Sequence, residues 1–201
     1  MPGLFITGTD TGVGKTYVTC YLAEKMRHEG IDVGVMKPIS TGPAAEDDAL
    51  YLKKKLKLDD PLELINPIHL KQPLAPYPAA KLEKKKLDLK KISKAFKELE
   101  KRHDTVLVEG IGGVAVPITK DYFVIDLIKE MKLPVIVVAR AGLGTINHTM
   151  LTLGALLDQH VEIAGIIING FRGRDISEKT NAEVIEKIGG IPVLEKLRWT
   201  A

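Results

Sequence analysis

The stretch that most constrains this chain is its opening. An apolar run, Leu4-Phe5-Ile6-Thr7, gives way to Gly8-Thr9-Asp10-Thr11-Gly12-Val13-Gly14-Lys15-Thr16. Such a run reads as a buried strand, and Val18, Tyr21, Leu22 and Met26 are spaced to line one face of a helix after the turn. Strand, glycine-rich turn and helix in that order have the layout of a phosphate-binding loop. Glycines let backbone N–H groups converge on anionic oxygens, and the helix N-terminus adds partial positive charge. Lys15 can then reach terminal phosphates, and the Thr16 hydroxyl can hold a magnesium ion. The common G-x-x-x-x-G-K-[ST] spelling has glycine where this chain has Thr9; Gly8 stands one residue earlier.

Beyond the loop, apolar runs and helical stretches alternate. Val33-Gly34-Val35-Met36 reads as a second strand ending at Lys37-Pro38, and residues 46–57 read as a helix. A tract carrying Pro61, Pro67, Pro73, Pro76 and Pro78 is expected to be a loop with fixed φ angles, of the kind that forms a lid or binding loop. A lysine-rich helix follows, with Ile92, Ala95, Phe96 and Leu99 on its apolar face. A strand at 105–108 then runs into Glu109-Gly110-Ile111-Gly112-Gly113. Helices at 122–131, 145–158 and 176–188 alternate with strands at 135–139, 164–168 and 191–194.

Strands of nearly continuous Val, Ile and Leu, joined through helices, predict an α/β fold: a mostly parallel central sheet flanked by helices on both faces. Ligands bind such sheets outside the carboxyl ends of the strands. The loop at 8–16, Lys37, Glu109, residues 142–147 and Asn169 all fall there. With 201 residues, no internal repeat and no linker composition, the chain is expected to be one domain, 1–201.

Charge and cysteine content narrow the function classes. The net charge is only +3, and the lysine clusters at 53–57, 81–86 and 90–101 are diluted by acids and accompanied by few aromatics. That pattern reads as a solvated surface of the kind heat-adapted proteins carry and excludes nucleic acid as the expected partner. Cys20 is the only cysteine, so no intrachain disulfide or cysteine-based metal site is expected. No apolar run approaches the ~18 residues of a membrane span. No signal peptide precedes the first strand, so the expected compartment is the cytoplasm.

Several residues have the chemistry for a phosphate site. Glu109, at the end of a hydrophobic strand, is placed to reach magnesium directly or through water, and Asp48 is a second candidate. The ammonium of Lys37 would stabilise charge on transferring phosphoryl oxygens. The segment from Thr145 to Leu157 contains no charged residue, although a helix on one face of a sheet should carry a charged outer stripe. Burial on both sides, most simply in a homodimer, is the expectation. The start of that helix, Gly144-Thr145-Ile146-Asn147, offers N–H groups to a carboxylate or phosphate.

Taken together, these motifs resemble the dethiobiotin synthetases, a family with the P-loop NTPase-like form of the fold. The resemblance rests on the whole 7–16 loop, Lys37-Pro38 with Ser40-Thr41-Gly42, and Asp48-Ala49-Leu50. It continues through Pro73-Leu74-Ala75-Pro76, Val108-Glu109-Gly110-Ile111-Gly112-Gly113, Leu143-Gly144-Thr145-Ile146-Asn147-His148-Thr149 and Asn169. It implies ATP- and Mg2+-dependent closure of 7,8-diaminopelargonate and CO2 into a cyclic urea, through a carbamate and a mixed carbamic–phosphoric anhydride.

By the same resemblance, Gly12, Val13, Gly14, Lys15, Thr16 and Tyr17 cradle the phosphates, while Thr16, Asp48 and Glu109 bind Mg2+. Gly110, Ile111, Gly112, Asn169 and Gly170 complete the nucleotide site, with Asn169 reading adenine. Lys15, Lys37 and Thr11 carry the catalytic roles. Thr41 contacts the substrate, whose carboxylate is held by Gly144, Thr145, Ile146 and Asn147 of a partner subunit. Two places depart from the family pattern: Tyr77 after Pro76, and residues 195–199 where Gly-x-Ile-Pro is usual. A rival class is the ParA/MinD-like regulatory ATPase, which usually carries an additional lysine early in the loop; this chain has none there.

Overall fold

The computed structural model describes residues 3–198. The chain opens with strand β1 (Gly3–Gly8), helix α1 (Lys15–His28), β2 (Val33–Met36) and the short β3 (Ile39–Thr41). Next come α2 (Asp48–Leu56), α3 (Leu62–Ile65), β4 (Ile68–Leu70), α4 (Pro76–Leu82) and α5 (Lys90–Arg102). β5 (Thr105–Gly113), the small β6 (Pro117–Thr119) and β7 (Tyr122–Phe123), and α6 (Val124–Met131) follow. The chain continues through β8 (Val135–Arg140), α7 (Thr145–Asp158), β9 (Ile163–Phe171), α8 (Ile176–Gly189) and β10 (Val193–Arg198).

Six strands form one parallel sheet in the order β10-β9-β8-β1-β5-β2. β1 is central because it is apolar on both sides: Phe5 and Ile6 are both fully buried yet face opposite layers. Ile6 joins Val35, Leu107, Ile136 and Val138 in packing with Val18 of α1 and Leu52 of α2. Phe5 joins Val108, Val137 and Ile168 in packing with residues of α5, α6, α7 and α8. A period of two with both faces apolar is what a doubly covered sheet requires. Because β1 lies between β5 and β8, the chain turns outward in both directions from it, and the crevice at its carboxyl end is where ligands enter.

Three expectations need correction. The proline tract is not a loop. Pro61 precedes α3, Pro76 occupies the first turn of α4, and β4 pairs with β3 in parallel as a separate two-stranded unit. Proline at a helix start loses no hydrogen bond, since the first N–H groups of a helix have no partner anyway. β5 runs on to Gly113, so Glu109 sits inside a strand rather than at its end. The last strand is displaced towards the C-terminus, covering 193–198 instead of 191–194. Trp199, part of the C-terminal departure, lies outside the described residues.

Candidate active site

The turn after β1 brings backbone N–H groups together because two glycines allow it. Gly14 caps α1 with φ 90°, a left-handed conformation, and no side chain caps the helix. A Cβ at Gly14 would also collide with the Asn169 amide nitrogen. A Cβ at Gly8 would sit 2.8 Å from Val13 Cγ2 and 3.1 Å from Lys15 Nζ, so the lysine folds back over a position that must be bare. The first turn of α1 has no acidic residue, leaving its positive end open to an anion.

Lys15 is buried and its Nζ donates to the Asp10 carbonyl at 2.9 Å. Burial, and then the neighbouring Lys37 ammonium, lower its pKa to about 8 against the partial opposition of Glu109, Asp48 and Asp10. Two cations held this close with so little water are a site made for negative charge.

Lys37 is fully buried at the end of β2. Its Nζ lies 2.6 Å from Glu109 Oε1, 2.9 Å from Asp48 Oδ2 and 2.9 Å from the Gly110 carbonyl. Burial alone would push its pKa down, but Glu109 and Asp48 outweigh that and raise it. The Thr16 hydroxyl faces both acids, at 3.1 Å from Asp48 Oδ1 and 2.9 Å from Glu109 Oε1. Burial of Asp48 acts to raise its pKa, yet Lys37 and the Thr16 hydroxyl bring it below the usual carboxylate range. Glu109 has no exposed surface, and its Oε2 has no hydrogen-bond partner among the described residues. A buried carboxylate oxygen left open in this way calls for a cation or donor from outside the chain.

A cavity of about 570 Å³ opens on this cluster. Of the residues expected in the site, it gathers Thr11, Gly12, Gly14, Lys15, Thr16, Lys37, Thr41, Asp48, Glu109, Ile111 and Gly112. Pro73, Leu74 and Ala75, from the proline tract, form an apolar wall of the same cavity. Tyr17 instead lines a second cavity of about 540 Å³, which shares Thr16 and Asp48 with the first. Val13 and Gly110 act through their backbones, Val13 as acceptor for Asn169 Nδ2 at 3.0 Å. Asn169, inside β9 rather than just past a strand ending at 168, is thereby a brace for the loop, a role its sequence position did not reveal. Gly170 follows it with φ 84°.

Gly144 to Asn147 do not reach this cavity. They begin α7, where Gly144 caps the helix at φ 89° without a side-chain cap, and Leu143, Leu151 and Leu157 are exposed on the surface. Sequence reasoning also missed Arg140, which pairs with Asp10 at 3.0 Å, and a cluster of Ser40, Asp47, Asn66 and His69. No local pattern marks these contacts, since Arg140 and Asp10 are 130 positions apart and Asn66 and His69 come to Ser40 from 26 and 29 positions away. Among the described residues no three or more His, Cys, Asp or Glu side chains form a metal cluster, and no helix is long and apolar enough to cross a membrane. The hard-oxygen set of one hydroxyl and two carboxylates at Thr16, Asp48 and Glu109 is of the kind Mg2+ takes alongside phosphates.

Comparison with known proteins gives three findings. A family model described as an AAA domain matches residues 2–201. The ATP-dependent dethiobiotin synthetase BioD of Endomicrobium trichonymphae is 48% identical over 198 residues, covering 96% of this chain and 91% of that protein. The protein of the same name from Methanocaldococcus jannaschii is 46% identical over 199 residues, covering 95% and 91%. Among solved structures, the MinD cell division protein of Aquifex aeolicus aligns over 98% of this chain and 82% of its own, with a TM-score of 0.60 at 17% identity. A ParA family ATPase from Chlorobium tepidum aligns over 99% and 84%, with a TM-score of 0.58 at 15% identity. At such low identity the likeness extends to the fold alone.

Proposed function

The chain belongs to the ATP-dependent dethiobiotin synthetase family, within the AAA-domain group, and on that premise we propose how its own residues close the ring. It is an ATP-dependent ligase of biotin biosynthesis. The reaction begins with a carbamate formed from CO2 on the 7-amino group of 7,8-diaminopelargonate. The carbamate oxygen takes the γ-phosphoryl group of ATP, giving a mixed anhydride and ADP. The 8-amino group attacks the anhydride carbon and phosphate leaves with the bonding pair, closing the cyclic urea.

The carbamate and the phosphoryl groups are anionic, so the site needs cations and N–H donors more than a side-chain base. Gly12 to Tyr17 cradle the nucleotide phosphates. Lys15 and Lys37 hold the carbamate and the transferring group, with Thr11 at the loop's edge and Thr41 facing the substrate. Thr16, Asp48 and Glu109 hold Mg2+, which when bound neutralises phosphate charge and orients the transferring group. Glu109 Oε2 is the best-fitting donor for it, being buried and unpartnered. Asn169 and Gly170 border the adenine, with Gly110, Ile111 and Gly112 along the nucleotide and substrate floor. Asn169 spends its Nδ2 on Val13 and keeps Oδ1 for the adenine amino group.

The protein acts as one domain in the cytoplasm, and as a homodimer. The stretch of α7 from Thr145 to Leu157 carries no Asp, Glu, Lys or Arg, and with Leu151 68% exposed on it and Leu143 83% exposed just before it, it supports a second copy as its cover. Its first amides, at Gly144, Thr145, Ile146 and Asn147, then serve the substrate carboxylate in the partner's cavity. Light scattering at micromolar concentration should give a dimer, and Leu151→Asp should give a monomer with little activity. A wild-type monomer would remove the shared site.

The observation that carries the reading is the convergence of Thr16, Lys37, Asp48 and Glu109 within 3.1 Å, with one carboxylate oxygen left open beside the loop. The test is phosphate release from Mg-ATP and bicarbonate with and without the diamine. Phosphate that depends on the diamine, matched by dethiobiotin in mass spectrometry, is the expected result. Slow hydrolysis indifferent to the diamine would favour a ParA/MinD-like regulatory ATPase instead.

A further inference from the structure

We propose that Ser40, Asp47, Asn66 and His69 form a positioning network that sets three residues of the phosphate site at once, with His69 as its outer clamp. The proposal rests on the reading of Asp48 as a Mg2+ ligand given above. Its centre is Asp47, which is 6% exposed. One oxygen, Oδ1, accepts from the Ala49 and Leu50 N–H groups at 2.7 and 3.2 Å and so caps α2, whose first residue is Asp48. That half is an ordinary helix cap.

The other half is not. Asp47 Oδ2 meets Ser40 Oγ at 2.8 Å and His69 Nδ1 at 2.7 Å, groups delivered by two other strands. Ser40 and His69 face each other because β3 and β4 pair in parallel with those two residues in register. Asn66 completes the set, with Oδ1 2.9 Å from Ser40 Oγ and Nδ2 donating to the carbonyls of Lys37 at 2.7 Å and Ile68 at 3.2 Å.

Counting protons fixes the direction of the bonds. Both close partners of Asn66 Nδ2 are carbonyls, so Asn66 Oδ1 is an acceptor towards Ser40. Ser40 Oγ also lies 2.9 Å from His69 Nδ1, and its single proton serves one of Asn66, Asp47 and His69 at a time. Asp47 accepts only. A bare ring nitrogen 2.7 Å from a carboxylate oxygen would set two lone pairs against each other, so His69 Nδ1 carries a hydrogen and donates it to Asp47. Without that donor, Oδ2 of a nearly buried carboxylate keeps at most a shared serine proton.

The geometry then explains what the network holds. Asp47 fixes the start of α2 and thus Asp48, whose two oxygens face Thr16 and Lys37. Ser40 is the neighbour of Thr41, which lines the cavity. Asn66 grips the backbone of Lys37, whose N–H also donates to the Ile65 carbonyl at 2.7 Å. One network thus reaches the acid, the hydroxyl and the ammonium through the residue beside each or its backbone. Groups that orient metal-binding side chains in this way typically change metal affinity by about 10–100-fold when lost.

Asp47 substitutions could unfold α2, so the test uses His69, whose side chain is one-third exposed. Calorimetry of ATP binding with and without Mg2+ is compared for wild type, His69→Ala and His69→Asn. Asn can place an amide N–H near the position of Nδ1. The expected result is about a tenfold loss of the Mg2+-dependent part of the affinity in His69→Ala, with Mg2+-free binding unchanged and His69→Asn within about twofold of wild type. Amide exchange at Ala49 and Leu50 should quicken in His69→Ala without any ligand. An unchanged Mg2+ response, or an equal loss in both variants, overturns the proposal whatever happens to the melting temperature. Binding does not require the ring-closing reaction, so failure of the enzymatic reading shows separately, as wild type that makes no dethiobiotin.

Discussion

Two ionic clusters sit at opposite ends of the same sheet, and they are built differently. At the carboxyl end, Lys37 is buried between Glu109 and Asp48, with Lys15 near by and Glu109 Oε2 unpartnered. At the amino end, just before β2 and β5, His103 lies between two acids. Its Nδ1 is 3.0 Å from Asp32 and its Nε2 is 2.8 Å from Asp60, while Arg102 approaches Asp60 at 3.6 Å. Both ring nitrogens of His103 face carboxylates, so the ring is satisfied on both sides as an imidazolium. The amino-end cluster is closed, and it ties the two strand starts together. The carboxyl-end cluster is left one bond short, which costs stability and leaves a place for a ligand.

The largest effect should come from Lys37. Lys37→Ala should lower dethiobiotin formation by about 10²–10³-fold, as for loss of a preorganised charge-stabilising group. The sequence alone suggests that the fold would be untouched by this change. Full burial of the Glu109 partner says otherwise: breaking such a pair costs about 3–5 kcal/mol. Denaturant unfolding should show that loss, and adding Glu109→Gln should return most of the stability and none of the turnover. A single variant with near-normal turnover would remove Lys37 from the chemistry.

Next in size is Gly14→Ala. A residue with φ 90° that also abuts Asn169 cannot gain a side chain without moving the loop. ATP affinity by calorimetry should fall by about 5- to 30-fold, the equivalent of a strain of roughly 1–2 kcal/mol.

The closed cluster makes a different kind of prediction. Burial acts to lower the pKa of His103, but hydrogen bonds to Asp32 and Asp60 outweigh it and raise the value above 6.5. A raised native pKa means stability that is complete below 6.5 and fades as pH climbs through the native value. Melting temperature should therefore decline on that side in wild type, and His103→Gln should flatten the slope. Turnover at fixed pH should hardly change; a large loss would mean the two clusters communicate.

The smallest effect belongs to the exposed set of Tyr21, Lys25 and Glu195, which joins α1 to β10. Glu195→Ala should shift the melting temperature by less than about 2 °C, because exposed ion pairs contribute little. A larger shift would mean that β10 is held chiefly by this contact rather than by its ladder with β9.

Much of this was legible in the chain because it is local. The glycines before Lys15-Thr16, the doubly apolar strands and the uncharged run from Thr145 to Leu157 each declare themselves within about a dozen residues. The proline tract misled for the same reason. A proline inside a helix breaks it, whereas a proline at the first turn starts one, and only the observed boundaries of α3 and α4 distinguish the two.

By itself the sequence determined the parallel sheet, the phosphate loop and the identities of Lys37, Asp48 and Glu109 as candidates. Side-chain period and turn chemistry are read over short spans, and these features need nothing more. Only the tertiary structure decided that Lys37 is enclosed by the two acids, that Asn169 braces the loop, and that His69 reaches Asp47. Those facts depend on distances between residues from 11 to 156 positions apart along the chain. Such distances are set by which strands become neighbours in the sheet and by β3 pairing with β4, and no local propensity encodes them.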